Sequence, residues 1–170
     1  MAISMYDISA NTFVRMLTNL SGMIDKATAY AETKKFDGKV LFDARLAPDM
    51  LPFASQVRIA CDFAKGCTAR LAGIEPPKHE DNETTLAELK ARTGKALEFI
   101  RSVKPEQIAG SENRDITHVM RVMTINMKGL PYLINFVLPN VYFHVTTAYN
   151  ILRHNGVELG KRDFVGPPDA

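Results

Sequence analysis

A chain of 170 residues, 46% apolar and 24% charged, fits one globular domain spanning residues 1–170 and excludes a disordered polypeptide. A formal charge of +2 without a basic run among aromatics excludes nucleic acid or an anionic membrane as the main partner. No stretch approaches the roughly 20 apolar residues of a membrane span. The opening MAISMYDISANTF lacks the basic and apolar regions of a signal peptide, and two cysteines suit a reducing cytoplasm.

From about Asp7 to Thr33, Phe13, Met16, Leu17, Leu20, Met23, Ile24, Ala27 and Ala31 recur three and four apart. That is the core stripe of a long helix, which Asp7 or Ser9 can cap. Phe36 to Leu51 is interrupted by Gly38 and Pro48, with Pro52 following, and reads as a crossover holding a short helical turn within Val40 to Leu46. A second helix begins near Asp49, with Pro52 in its first turn, and runs on Phe53, Val57, Ala60, Cys61, Ala64, Thr68 and Leu71 to a stop at Gly73. Ile74 to Glu83, with Pro76 and Pro77, is a loop in which His79 is solvated.

Thr85 and Glu88 form a capping box for a third helix, which extends on Leu86, Leu89, Ala96, Leu97 and Ile100 to about Val103. From Ala109 to Pro131 the helical period is lost. Ile116-Thr117 and Val122 to Met127 have strand composition, Lys128-Gly129 suits the turn of a short hairpin, and His118 reads as a surface residue. Leu130 to Asn155 is helical again, with Pro139 at a start or a kink. The fold class is all-α: a four-helix bundle with a long crossover connection and a short β-hairpin before the last helix.

The last helix carries the candidate chemistry. Val141, Val145, Ala148, Ile151 and Leu152 define its inward face, and His144 lies between Val141 and Ala148 on that face. A buried imidazole needs partners for both nitrogens, and Asn140 one turn earlier is placed to be near it. Gln56 sits among Phe53, Ile59, Ala60 and Phe63 on the second helix. Gln and Asn are weak ligands, so Gln56, Asn140 and His144 make a poor zinc site. His154, ten residues on and roughly 80° around the helix, suits the carbonyl end of the helix beside Gly156. Asp62 stands between Arg58 and Lys65 at ion-pair spacing. Cys61 and Cys67, roughly 120° apart on their helix, are buried free thiols rather than a disulfide. No nucleophile elbow, phosphate loop, dinucleotide fingerprint, C-x-x-C or H-E-x-x-H motif occurs.

The run LPNVYFHVTTAYNILRHNGV with the closing GKRDFVG resembles an uncharacterised bacterial family grouped with the DinB/YfiT-like four-helix bundles. Met50-Leu51-Pro52, Gln56, Ala60-Cys61-Asp62 and Arg70-Leu71-Ala72-Gly73 fit the same pattern. The resemblance implies a DinB-like bundle. In that superfamily a divalent metal is held by one histidine on the second helix and an H-x-x-x-H pair on the last, and some members are metal-dependent transferases or hydrolases. Aligned on Leu152-Arg153 and Gly156, the second histidine of the pair becomes His144, the first becomes Asn140, and the second-helix position falls near Gln56 or Ala60. One histidine of three survives, leaving His144 as the metal ligand to test, with zinc or nickel as the metal.

Two functions follow. One is a divergent bundle that binds a small ligand or a divalent metal around Gln56, Asn140, His144 and Tyr149, with His144 as general base if it is an enzyme. The other is a non-catalytic homodimeric structural or interaction protein whose buried polar trio fixes packing register. Both describe a cytoplasmic protein that acts without nucleic acid or membrane.

Overall fold

In the computed structural model, which describes residues 3–168, the first apolar stripe becomes one helical rod. A π-helical turn at Asp7–Asn11 runs directly into α1 (Thr12–Lys34). The cap is neither Asp7 nor Ser9. Ser4 Oγ accepts from the Asp7 amide at 3.1 Å, and Asp7 Oδ2 accepts from the Ser4 amide at 3.3 Å. Ser9 is buried and donates back to the Met5 carbonyl. Phe13, Leu17, Leu20, Met23, Ile24 and Ala27 are fully buried, as their spacing demands.

The crossover contains one short helix, α2 (Lys39–Asp43). Next comes α3 (Phe53–Ala72), which starts later than Asp49. Leu51 precedes a proline and is driven toward extended backbone, so no helix can pass through it. Pro52 is the extended N-cap residue, and the Phe53 amide donates to the Ala44 carbonyl at 2.8 Å. At the other end Gly73 has φ +71°, and a Cβ there would sit 2.6 Å from Arg114 Nη1. That guanidinium donates to the Leu71 carbonyl and so seals the end of α3.

The capping box starts α4 (Leu86–Ser102) as its sequence predicts. Thr85 Oγ1 accepts from the Glu88 amide at 3.2 Å, and Glu88 Oε2 accepts from the Thr85 amide at 3.0 Å. After the single turn α5 (Pro105–Ile108), β1 (Asp115–Val119) and β2 (Thr124–Lys128) pair antiparallel, with Asp115 opposite Lys128. The hairpin turns at Met120–Met123, where the Met120 amide donates to the Met123 carbonyl, and not at Lys128-Gly129. Gly129 serves a different need. It opens α6 (Gly129–Pro131) so close to Ser111 that a Cβ would lie 2.0 Å from that carbonyl oxygen.

A π-helical stretch, Tyr132–Val137, leads into α7 (Leu138–His154). Pro139 follows this π-helical stretch, with Val137 and Leu138 both keeping α-region backbone, so the wider π turn takes up the proline inside a continuous helical run. The chain closes with α8 (Lys161–Val165), which packs on α1. In the bundle, α1 lies against α4 and α7, and α3 lies against the same two. The first and second long helices are therefore diagonal, which is why their connection has to cross the bundle end.

The loop between α3 and α4 is tied down by Arg92, only 2% exposed. Its Nη1 donates to Glu83 Oε1 and the Glu80 carbonyl, and its Nη2 reaches Asp62 Oδ2 and Asp81 Oδ1. Asp62 pairs with Arg92 and Lys65 rather than Arg58, because Arg58 is drawn to Glu83 at 2.7 Å. Among the described residues no helix is long and apolar enough to cross a membrane.

Two glycines give opposite expectations. Gly129→Ala must displace the Ser111 backbone, and urea unfolding should show a loss of about 1–3 kcal/mol. Gly94→Ala, on an exposed turn of α4 where a Cβ meets nothing, should raise stability by roughly 1 kcal/mol.

Candidate functional site

Residues seven apart on a helix stay on one face, drifting by only about 20° per step. Gln56, Phe63 and Arg70 form such a stripe along α3. Residues four apart also align, and Tyr132, Phe136, Asn140 and His144 do so through the π-helical stretch and α7. The stripes meet antiparallel as three rungs. Gln56 Oε1 bonds His144 Nδ1 at 2.7 Å, the Phe63 and Phe136 rings meet edge-on at 5.6 Å, and Arg70 Nη1 reaches the Tyr132 hydroxyl at 3.5 Å.

The first rung fixes the chemistry of His144. Gln56 is 2% exposed and its Nε2 donates to the Leu51 carbonyl at 3.0 Å, so its oxygen is the atom that faces the imidazole. His144 Nδ1 must then carry the proton and donate, which leaves the Nε2 lone pair without a partner among the described residues. The ring is partly rather than wholly buried. It lies nearly parallel to Phe63, with centroids 6.2 Å apart and planes at 18°. Burial pushes its pKa down to about 4, so it is neutral at pH 7.

The third rung recruits a residue from the hairpin. His118 Nδ1 lies 3.0 Å from the Tyr132 hydroxyl, and its ring stands edge-on to Phe63, Tyr132 and Phe136. Tyr132 is fully buried, its oxygen accepts from Arg70, and its hydroxyl proton needs an acceptor, which His118 Nδ1 supplies. His118 thus holds its own proton on Nε2. Burial first, and the Arg70 charge second, push its pKa down to about 4. His118 is no surface residue. The signal was in the strand: β1 buries Ile116, and His118 two residues on shares that face.

The other sequence candidates fall elsewhere. Asn140 donates its side-chain nitrogen to the Phe136 carbonyl of its own helix at 2.7 Å, and Tyr149 packs its ring on Phe164, 6.4 Å away. His79 is partly buried in its loop, with Nδ1 enclosed and unpartnered by protein, and burial lowers its pKa. His154 is exposed at the end of α7, where Asn155 donates to the Ile151 carbonyl. Cys61 and Cys67 are fully buried free thiols, and burial pushes Cys61 up to about 12.

The residues around His144 do not fit a three-histidine metal centre. They offer one imidazole and two amides, and each amide is committed to a hydrogen bond within the protein. Among the described residues, no group of three or more His, Cys, Asp or Glu is arranged to hold a metal ion.

The profile of the family described as "Domain of unknown function (DUF1993)" matches residues 5–165. The chain belongs to the DUF1993 family. It is also similar to a crystal structure of a DinB family member protein from Shewanella denitrificans, at 44% identity and a TM-score of 0.90, covering 97% of this chain and 93% of that one. No curated protein matches it. A DinB-like bundle of the DUF1993 family is thus the setting in which the Gln56–His144 rung has to be understood.

Both histidines have folded pKa values below their ordinary 6.5. The unfolded chain therefore binds protons that the folded one refuses as pH falls. Stability from these two groups should be complete above about pH 6.5 and lost between about 6.5 and 4. Urea unfolding across that interval should show the decline. A His118→Gln, His144→Gln double variant should flatten it, and an equally steep decline in the double variant would contradict the assignment.

Proposed function

We propose that this domain binds a small organic ligand without a metal, on the Phe63 face of α3, with His144 Nε2 accepting a hydrogen bond from the bound molecule. The observation that carries this reading is the Gln56–His144 hydrogen bond. It locks one tautomer and leaves a single unprotonated nitrogen beside an aromatic surface. Binding is favoured over general-base catalysis because an imidazole whose pKa is about 4 is a weak proton acceptor at neutral pH.

Ligands that use this nitrogen raise the melting temperature by mass action. A thermal-shift screen of small organic donors should give stabilising compounds whose effect disappears in His144→Ala and is weakened in Gln56→Leu. A screen in which no compound's stabilising effect depends on His144 would sink the proposal. Dialysis against zinc or nickel should leave less than one bound equivalent, unchanged by His144→Ala.

A second reading, a non-catalytic homodimer, is favoured by exposed apolar side chains. Ile134, Tyr142 and Phe143 are 46%, 41% and 55% exposed on the last helical segment, and Phe143 touches the edge of His144. Under that reading, sedimentation equilibrium should show a dimer that Phe143→Glu converts to monomer, with the fold unchanged.

A further inference from the structure

Beyond His144, a groove of about 660 Å³ lies over α3 between the hairpin and the 74–80 loop. Its floor is Phe63, Gly66 and Arg70, and His118, Met120 and Pro77 rise around it. Neither Gln56 nor His144 lines it.

Arg70 is the unusual member. The two partly or wholly buried arginines nearby, Arg58 and Arg92, are neutralised by carboxylates at 2.7–2.9 Å. Arg70 enters no ion pair among the described residues, and the one hydrogen bond of its guanidinium among them is the long contact of 3.5 Å to the Tyr132 hydroxyl. It is not a freely swinging side chain. A Cβ on Gly66 would lie 2.6 Å from Arg70 Nη1, so the guanidinium lies folded down on bare helix backbone.

Its neighbour is a second donor. Arg70 and His118 bond the same phenolic oxygen, and the tautomer that this imposes puts a proton on His118 Nε2, with no protein acceptor for it. The site therefore offers a fixed positive charge and a neutral N–H side by side; among the described residues the guanidinium has only the long Tyr132 contact and the His118 Nε2 proton has no acceptor. The rest of the lining tells what the remainder of a ligand must be. Ile59, Phe63, Pro76, Pro77 and Met120 are apolar. Of the acids, Asp62 is already held by Arg92 and Lys65, and Glu75 and Glu80 are exposed on the loop, where water screens them.

We propose that this groove binds a small organic carboxylate, its carboxylate held by Arg70 and His118 and its hydrocarbon body laid on Phe63 and Pro77. A guanidinium fork matches the planar two-oxygen geometry of a carboxylate. Of the three cations in the lining, Lys65 is held by Asp62 and Lys78 is exposed on the loop beside Glu75 and Glu80, so Arg70 is the inner charge, and with the neutral His118 donor it balances a single negative charge. A phosphate dianion would bring a second charge, with Glu75 and Glu80 on the rim to oppose it.

The site shares the Phe63 ring with the His144 reading but takes its polar contacts from Arg70 and His118, and the test keeps the two apart. The full chain, labelled with ¹⁵N, is titrated with benzoate while the Arg70 Nε–H and His118 ring resonances are followed. Saturable shifts of both are expected, together with a raised His118 pKa in the complex, because an anion would offset the Arg70 charge that helps to lower it. Arg70→Gln should weaken benzoate binding roughly tenfold or more, as loss of a charge-assisted pair implies. His144→Ala should bind benzoate as the parent does. Inorganic phosphate should neither shift the two resonances saturably nor displace benzoate. The proposal is overturned if benzoate gives no saturable shift at His118 in the parent chain. It is equally overturned if phosphate binds in preference, or if a folded Arg70→Gln binds benzoate as tightly as the parent.

Discussion

The seam between α3 and the last helical segment governs what the rest of this molecule does, because packing and polarity run along it together. Three rungs hold it, and each end rung is a hydrogen bond between a helix side chain and a partner that fixes the proton on a histidine. Aromatic rings fill the middle between them. A buried amide such as Gln56 is expensive unless both its ends are bonded, and here both are. The hydrogen bonds therefore position the helices and, in the same geometry, leave one free nitrogen on each histidine.

The comparison with a metal-binding bundle turns on this seam. The three-histidine pattern that the resemblance implies needs imidazoles on both helices with their lone pairs aimed at one point. Here the α3 position is an amide that donates to the Leu51 carbonyl, and the position one turn before His144 is an amide turned back on its own helix. A metal would have to compete with those bonds for atoms that are weak ligands at best. What remains is a polar and aromatic surface.

A second polar cluster secures the far side of α3. Arg92 and Arg58 gather Asp62, Asp81 and Glu83, so the proline-bearing loop 74–85 is anchored to both helices it connects. Such pairs add little on an open surface, but Arg92 is buried, and removing its carboxylates would leave an uncompensated charge inside the protein. By holding the loop over α3, they also form one wall of the groove that Arg70 and His118 share.

Local chemistry is what the sequence could state unaided. Three-and-four spacing gives helices wherever the chain places them, Thr85 and Glu88 sit close enough to cap each other, and Gln56 and His144 announce themselves as polar residues on apolar faces. The diagonal placement of α1 and α3 was legible too, since a long broken connection has few other uses. Three features were beyond it. Gly129 looks like a turn residue until Ser111 is seen to occupy the space of its missing side chain. Asp62 looks paired with Arg58 until the loop delivers Glu83. His118 looks like a surface residue until the hairpin folds it onto Tyr132 and Phe63. In each case the deciding partner belongs to another element, from 14 residues away for His118 and Tyr132 to 25 for Arg58 and Glu83, and only the folding of one element onto another brings it within hydrogen-bonding or van der Waals range.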